Sequence, residues 1–248
     1  MINLHKHKYD VFSENGEDGI IEKILEISFK NKGKINTCEF GAGNIEKNSN
    51  TFKLVKEDKV NFSIFIEKDI NLYNKLLNLK SKFPQIISIN KLVEFKKDSE
   101  NTLDKILTKN NISNDIDIMS IDIDSYDLDV YRSIENFLPK LLIIEGGRQK
   151  YGIFSEHSID NKMNSFSSIY DEVSKKYFLI CYNGNLFFLN KNSFSKEHVE
   201  KNYYTDDEYN YLLHCIYLNY FKRGFIKKIL MNLISKSKFL MKLIINYK

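Results

Sequence analysis

The chain has 248 residues, of which 42% are hydrophobic and 28% are charged, so we expect one soluble domain with a small appendage rather than a membrane or disordered protein. Its net charge of +4 comes from residues 222–248, because residues 1–221 carry 29 basic and 33 acidic side chains; this acidic body excludes a groove for a nucleic-acid backbone. Three cysteines without metal or disulfide spacing, and no signal peptide, predict a cytoplasmic protein.

Helical and strand-like patterns alternate along most of the chain. Apolar residues at helical spacing predict a helix from Gly19 to Phe29, and further helical patterns cover 51–58, 70–82, 99–110, 127–138 and 163–176. Short apolar runs between them predict five strands, at Ile35–Phe40, Asn61–Ile66, Gln85–Ile89, Asp117–Ile123 and Lys140–Ile144. Such alternation favours right-handed βαβ crossovers and a doubly wound parallel sheet.

The rhythm changes near residue 177, where two apolar runs flank Asn183-Gly184. Asn-Gly between such runs is a strong hairpin signal, so Tyr177–Tyr182 and Asn185–Asn190 are predicted to pair antiparallel. A parallel sheet that ends in an antiparallel hairpin is the layout of class I methyltransferases. We therefore predict an α/β, Rossmann-like fold over residues 1–205, followed by a helical segment over 206–248.

A glycine turn follows the first predicted strand, in Glu39-Phe40-Gly41-Ala42-Gly43. Glycines there let the backbone approach a nucleotide-type ligand closely, and Glu67 at the end of the second strand can accept hydrogen bonds from ribose hydroxyls. The third glycine of a pyrophosphate-binding turn is missing. S-adenosylmethionine, which has a ribose and an ammonium group but no phosphate, fits better than NAD, and Glu39 could meet the ammonium group.

Three further acids follow the fourth and fifth predicted strands. Strand alternation would place Asp122 and Asp124 on one side, and Glu145 would lie beside them because carboxyl ends of neighbouring parallel strands meet at one edge. Such crowded carboxylates predict a divalent metal, Mg²⁺ or Mn²⁺, held by these three side chains. The alternative is that Asp124 only caps the next helix and Glu145 faces solvent.

His157 lies in a polar loop after the fifth strand. Its ordinary pKa near neutrality would suit a general base, while a loop histidine hydrogen-bonded to the backbone is the alternative.

The segment Ser13-Glu14-Asn15-Gly16-Glu17-Asp18-Gly19 resembles the opening signature of FkbM-type S-adenosylmethionine-dependent methyltransferases. The segments ending at Gly43, Glu67, Asp124 and Glu145 follow in the order of that family. The resemblance implies that S-adenosylmethionine, the methyl donor, is contacted by Asn15, Glu17, Asp18, Glu39, Gly41, Ala42, Gly43, Glu67 and Asp122. It also implies that Asn15, Glu17 and Asp18 lie close to the site of methyl transfer.

Because many members of that family are similar to sugar O-methyltransferases, the implied acceptor is a sugar hydroxyl, as on a nucleotide-activated sugar for capsule or lipopolysaccharide. The predicted reaction is an SN2 methyl transfer in which Asp122, Asp124 and Glu145 orient the acceptor, directly or through the metal. The competing hypothesis is a non-catalytic, S-adenosylmethionine-binding module that recruits polysaccharide enzymes to the membrane.

The tail, residues 222–248, combines eight basic side chains with apolar residues at helical spacing. This pattern predicts an amphipathic basic helix, or a pair of such helices, that contacts an anionic membrane surface peripherally. Docking on the acidic body, or formation of a homo-oligomer, are equally compatible with the pattern.

Overall fold

The computed structural model describes residues 1–123, 126–146 and 166–204. Asp124, His157 and the tail of residues 222–248 lie outside these described residues. The described helices include none that is both long enough and apolar enough to cross a bilayer.

A seven-stranded sheet forms the centre of the molecule. Its strands are β1 (Ile35–Phe40), β2 (Val60–Glu67), β3 (Ile86–Asn90), β4 (Ile118–Ile121), β5 (Leu141–Glu145), β6 (Tyr177–Tyr182) and β7 (Asn185–Asn190). The spatial order is β3-β2-β1-β4-β5-β7-β6. Strands β1 to β5 pair in parallel, whereas β7 runs antiparallel to both β5 and β6. This order confirms the predicted Rossmann-like fold of class I methyltransferases, including the hairpin at Asn183-Gly184.

Seven helices are described, together with a short 3-10 helix at Leu4–His7. They are α1 (Glu17–Ser28), α2 (Phe52–Lys56), α3 (Ile70–Lys80), α4 (Leu103–Lys109), α5 (Asp127–Arg132), α6 (Phe166–Val173) and α7 (Lys196–Asn202). Two hydrophobic clusters cover the two faces of the sheet, one containing Cys38 and Phe40 and the other containing Ile35 and Phe65. All six residues of β1 are buried, as expected for a central strand covered on both sides.

Helix α5 is shorter than the predicted helix over 127–138, and its contacts explain why. The backbone N–H groups of Glu135 and Asn136 donate to the Asp104 carboxylate, at 2.9 and 2.8 Å, instead of to carbonyl groups one turn earlier. The Ser133 hydroxyl also donates to the Val130 carbonyl at 2.7 Å, and such local bonding competes with helix continuation. Residues 134–138 therefore pack on the core as irregular chain.

Strand β4 ends earlier than predicted, at Ile121 rather than Ile123. Its neighbour β1 ends opposite Ile121 and turns away at Gly41, so the regular β1–β4 pairing stops at Ile121. The backbone N–H of Ile123 instead donates to the Asp127 side chain at 2.9 Å, which turns the chain towards α5. The predicted strand bound at Ile123 was therefore wrong, while the placement of Asp122 and Asp124 on one side stays a prediction because Asp124 lies outside the described residues.

Candidate functional site

The glycine turn after β1 is packed directly against the chain that leaves β4. Gly41 has a φ of +72°, and a Cβ built on it would lie 1.8 Å from the Asp122 carbonyl oxygen. The Asp122 N–H also points back, donating to the Phe40 carbonyl at 3.4 Å. No side chain larger than hydrogen fits at Gly41, so the two chain turns meet at the carboxyl edge of the sheet only because this residue is glycine.

Glu67 fixes the other side of the same turn. Its Oε2 accepts the Gly43 N–H at 2.7 Å and its Oε1 accepts the Asp69 N–H at 2.8 Å, while the side chain is 6% exposed. Ala42, between the glycines, is buried, and its N–H donates to the Ile66 carbonyl at 3.4 Å. Each carboxylate oxygen can accept two hydrogen bonds, so Glu67 keeps capacity for a ligand.

A cavity of about 320 Å³ opens beside this turn, within the range of small-molecule sites. It lies at the carboxyl ends of β1, β2 and β4, the edge at which open α/β sheets bind ligands. Four residues that were predicted to contact the methyl donor lie in its wall: Gly41, Gly43, Glu67 and Asp122. The wall also contains residues that we did not single out in the sequence, namely Lys68, Lys91, Leu92 and Tyr126.

Glu39 is not among the residues that line this cavity, and it is 2% exposed. Its Oε2 accepts from the Ser49 hydroxyl at 2.8 Å and from the Thr51 hydroxyl at 2.6 Å, and its Oε1 accepts the Asn50 N–H at 3.1 Å. Burial raises the pKa of Glu39 to about 7, against the opposing effect of these hydrogen bonds and with a smaller contribution from Asp122. The observed role of Glu39 is to hold residues 49–51, and a contact with a ligand ammonium group stays a prediction.

Asp122 and Glu145 occupy the ends of neighbouring strands, and both are half-buried. The third acid of the predicted metal site, Asp124, lies outside the described residues. Within residues 1–123, 126–146 and 166–204, no group of three His, Cys, Asp or Glu side chains is arranged to hold a metal ion. The Mg²⁺ or Mn²⁺ site therefore stays a prediction, as does the general-base role of His157.

Glu17 and Asp18 of the N-terminal signature are buried and bonded within the protein, whereas Glu14 is exposed. Asp18 Oδ2 accepts the N–H groups of Val11 and Phe12 at 2.8 and 2.7 Å, which closes the loop before α1. Glu17 is 1% exposed, accepts the Asn15 N–H at 2.8 Å, and has its pKa raised by burial. Asn15, Glu17 and Asp18 are not among the residues that line the cavity, and their predicted contact with the methyl donor is untested.

Several polar residues that organise the site were missed in the sequence. Ser49, Asn50 and Thr51 form a polar run just before α2, and this run was the available signal for a capped turn. Asn183 and Asn185 were interpreted only as hairpin residues, although their side chains reach Glu17.

A second cavity, of about 560 Å³, lies at the opposite edge, where β1 and β5 begin. Its lysines Lys32 and Lys140 are paired with the buried Asp117, at 2.5 and 2.8 Å. This cavity is larger, but it is remote from the glycine turn, and two of its lysines already pair with Asp117. We therefore assign the candidate site to the smaller cavity.

Neither a family model nor a curated protein matches this sequence. Among solved structures, the chain is similar to M. capricolum TrmK in complex with S-adenosyl-homocysteine, at 17% identity over 90% of this chain and 96% of that one, with a TM-score of 0.43. It is also similar to M. jannaschii TYW2 in complex with AdoMet, at 16% identity over 68% and 75%, with a TM-score of 0.39. A third similar structure is a SAM-dependent methyltransferase from Aquifex aeolicus, at 11% identity over 77% of this chain and 100% of that one, with a TM-score of 0.44. The assignment of the fold rests on the strand order.

Proposed function

We propose that this protein is an S-adenosylmethionine-dependent methyltransferase whose acceptor is a sugar hydroxyl. The observation that carries the proposal is the bond from the Gly43 N–H to Glu67 at 2.7 Å. In a pyrophosphate-binding turn that amide and a following helix N-terminus would face the phosphates. Here the amide is committed to a carboxylate, and α2 begins only at Phe52 and has five residues.

The residues in the cavity suit a phosphate-free nucleoside. Glu67 would accept the ribose hydroxyls with its remaining lone pairs, and the Gly41 to Gly43 backbone would lie against the ligand. Leu92, which is 53% exposed, and Tyr126 supply apolar surface for a base. S-adenosylmethionine, when bound, supplies a methyl group activated by its sulfonium.

The chain's own contribution to transfer would be to position the acceptor and to receive its proton. In-line approach to a methyl carbon demands fixed geometry, and orientation of this kind supplies much of the rate. Asp122 lies in the cavity wall and Glu145 ends the neighbouring strand, and these positions support the proposal that both carboxylates hydrogen-bond an acceptor hydroxyl. We propose these two carboxylates, with Asp124 and with His157 as a second base candidate, for that task; Mg²⁺ or Mn²⁺ would add a Lewis acid if the three acids hold it.

The donor half of the proposal can be tested by calorimetry with S-adenosylhomocysteine, NAD and ATP, each with and without Mg²⁺. We expect micromolar binding of S-adenosylhomocysteine and binding at least 100-fold weaker for the two phosphate-bearing ligands, about 3 kcal/mol in free energy. Tighter binding of NAD would replace the proposal with a dinucleotide site. No binding of any of the three would remove the nucleoside site altogether.

The acceptor half requires turnover. We would incubate the full chain with a labelled methyl donor and a panel of nucleotide-activated sugars, with and without EDTA, and use Asp122→Asn as the matched variant. Transfer that is lost in Asp122→Asn with donor affinity retained would support the carboxylate role. Donor binding without transfer to any sugar would favour the non-catalytic recruiting module instead.

A further inference from the structure

Glu17, the first residue of α1, joins two segments that are far apart in the sequence. Its Oε1 accepts the side-chain amides of Asn183 and Asn185, each at 3.1 Å, and its Oε2 accepts the Asn15 N–H at 2.8 Å. Both asparagines are buried, and Asn183 also donates to the Asn15 carbonyl at 3.1 Å. One carboxylate thus ties the N-terminal signature to the turn between β6 and β7.

The turn between β6 and β7 packs on the end of β5. The Gly146 N–H donates to the Gly184 carbonyl at 2.8 Å, and a Cβ at Gly146 would lie 2.8 Å from the same oxygen and from Leu186 Cδ1. Glu145 stands directly opposite Asn185 in the β5–β7 pairing. A shift of the turn would therefore be transmitted to Glu145, since the contact leaves no free space.

Glu17 is enclosed by the described part of the chain. It is 1% exposed, and the charged or titratable groups around it are Lys8, Asp10 and Cys181. The cavity beside the glycine turn is formed by other residues. An influence of Glu17 on the site would therefore act through the hydrogen-bond partners of Glu17.

We propose that Glu17 is a positioning residue which, through Asn183, Asn185 and the Gly184 carbonyl, fixes the backbone at Gly146 and so the direction of the Glu145 carboxylate. The N-terminal signature then acts on the acceptor side of the edge and leaves the donor side unaffected. Calling Glu145 an acceptor-side group rests on the proposed function, whereas the chain of contacts does not.

The test is hydrogen exchange of the backbone amides in Glu17→Ala, Glu17→Gln and the wild-type full chain. We expect exchange at Gly146 and at residues 183–186 to be at least tenfold faster in Glu17→Ala. Glu17→Gln should recover most of the protection, because its Oε1 can still accept both asparagine amides. Glu26→Ala is the matched control, since Glu26 is an exposed carboxylate on the same helix and pairs with Lys23, three residues earlier.

Amides of β2 and β3 serve as the internal reference for general loss of stability and should be unchanged in all variants. S-adenosylhomocysteine affinity should stay within twofold of wild type, and where a sugar is methylated the loss in Glu17→Ala should fall on kcat rather than on the donor KM. Unchanged exchange at Gly146 in Glu17→Ala would overturn the inference. If Glu17→Ala does not fold, Asn185→Ala, which removes one donor, provides the same comparison with Glu26→Ala.

Wild-type protein that binds no S-adenosylhomocysteine would defeat the proposed function without touching the exchange result. The two ideas can therefore fail separately.

Discussion

Two groups of carboxylates lie at the carboxyl edge of the sheet and serve different purposes. Glu67 has one backbone donor on each oxygen and lines a cavity, so it combines a fixed position with spare capacity for hydrogen bonds. In Asp18, one of the two carboxylate oxygens, Oδ2, accepts hydrogen bonds from Val11, Phe12 and Ser13. Asp18 is not among the residues that line the cavity. Both carboxylate oxygens of Glu17 likewise accept hydrogen bonds from groups of the protein.

The difference shows that position at the edge does not by itself make an acid a ligand contact. An acid that faces a cavity with unused lone pairs can bind, whereas an enclosed acid with several donors shapes the chain around it. The predictions below separate these two kinds of role, beginning with the turn that both surround.

The largest effect is expected for Gly41→Ala. The new methyl group would overlap the Asp122 carbonyl at 1.8 Å, and the φ of +72° adds strain, so the turns after β1 and β4 would have to separate. We expect a loss of about 4 kcal/mol or more in the free energy of unfolding, measured by urea denaturation, and loss of S-adenosylhomocysteine binding.

Gly43→Ala is the matched control for that variant. Gly43 also has a positive φ, +52°, but among the described residues the nearest atom to its added Cβ would be the Gly41 carbonyl oxygen, at 3.7 Å. Strain alone predicts a loss of about 1 kcal/mol. Equal losses in the two variants would show that the close approach to Asp122 is unimportant and would undo the account of this turn.

The pH dependence of stability tests the enclosed acid Glu39. Burial raises its pKa from 4.5 in the unfolded chain to about 7 in the folded one. The folded state therefore holds the proton more tightly, so this stabilisation is complete below pH 4.5 and is lost as the pH rises through 7. The free energy of unfolding should fall by about 3 kcal/mol over that interval from this group alone.

Glu39→Gln cannot titrate and should show a flatter profile in urea denaturation followed by circular dichroism from pH 4.5 to 8. The difference between the two profiles isolates Glu39 from Glu17, whose raised pKa acts in the same direction in both proteins. Parallel profiles would mean that the pKa of Glu39 is the same in the folded and unfolded states.

The sequence was sufficient for the fold and for the place of the glycine turn. Strand-like runs and the Asn183-Gly184 pair are local signals, and each produced the expected element. The length of β4 was not predictable, because it ends where its neighbour β1 turns away, and that limit is a property of the pairing. The partners of Glu17 are 166 and 168 residues distant, so no local pattern could reveal them.

Glu67→Ala tests the cavity-facing acid. The substitution frees the N–H groups of Gly43 and Asp69 and removes the acceptor for the ribose, and a hydrogen bond to a charged group contributes about 1.5–3 kcal/mol. We expect S-adenosylhomocysteine to bind about 10- to 100-fold more weakly in calorimetry. Affinity equal to that of wild type would place the ribose elsewhere.

The smallest effect is expected for Asp69→Ala, two residues further on. Asp69 caps α3 by accepting the N–H groups of Asn71 and Leu72 at 2.8 and 3.0 Å, and loss of such a cap costs about 1 kcal/mol of stability. Its own N–H, which holds Glu67, is retained in alanine, so nucleoside affinity should change less than twofold. A loss of affinity as large as that in Glu67→Ala would mean that ligand binding follows the stability of this loop, and the distinction between a binding acid and a shaping acid at this edge would fail.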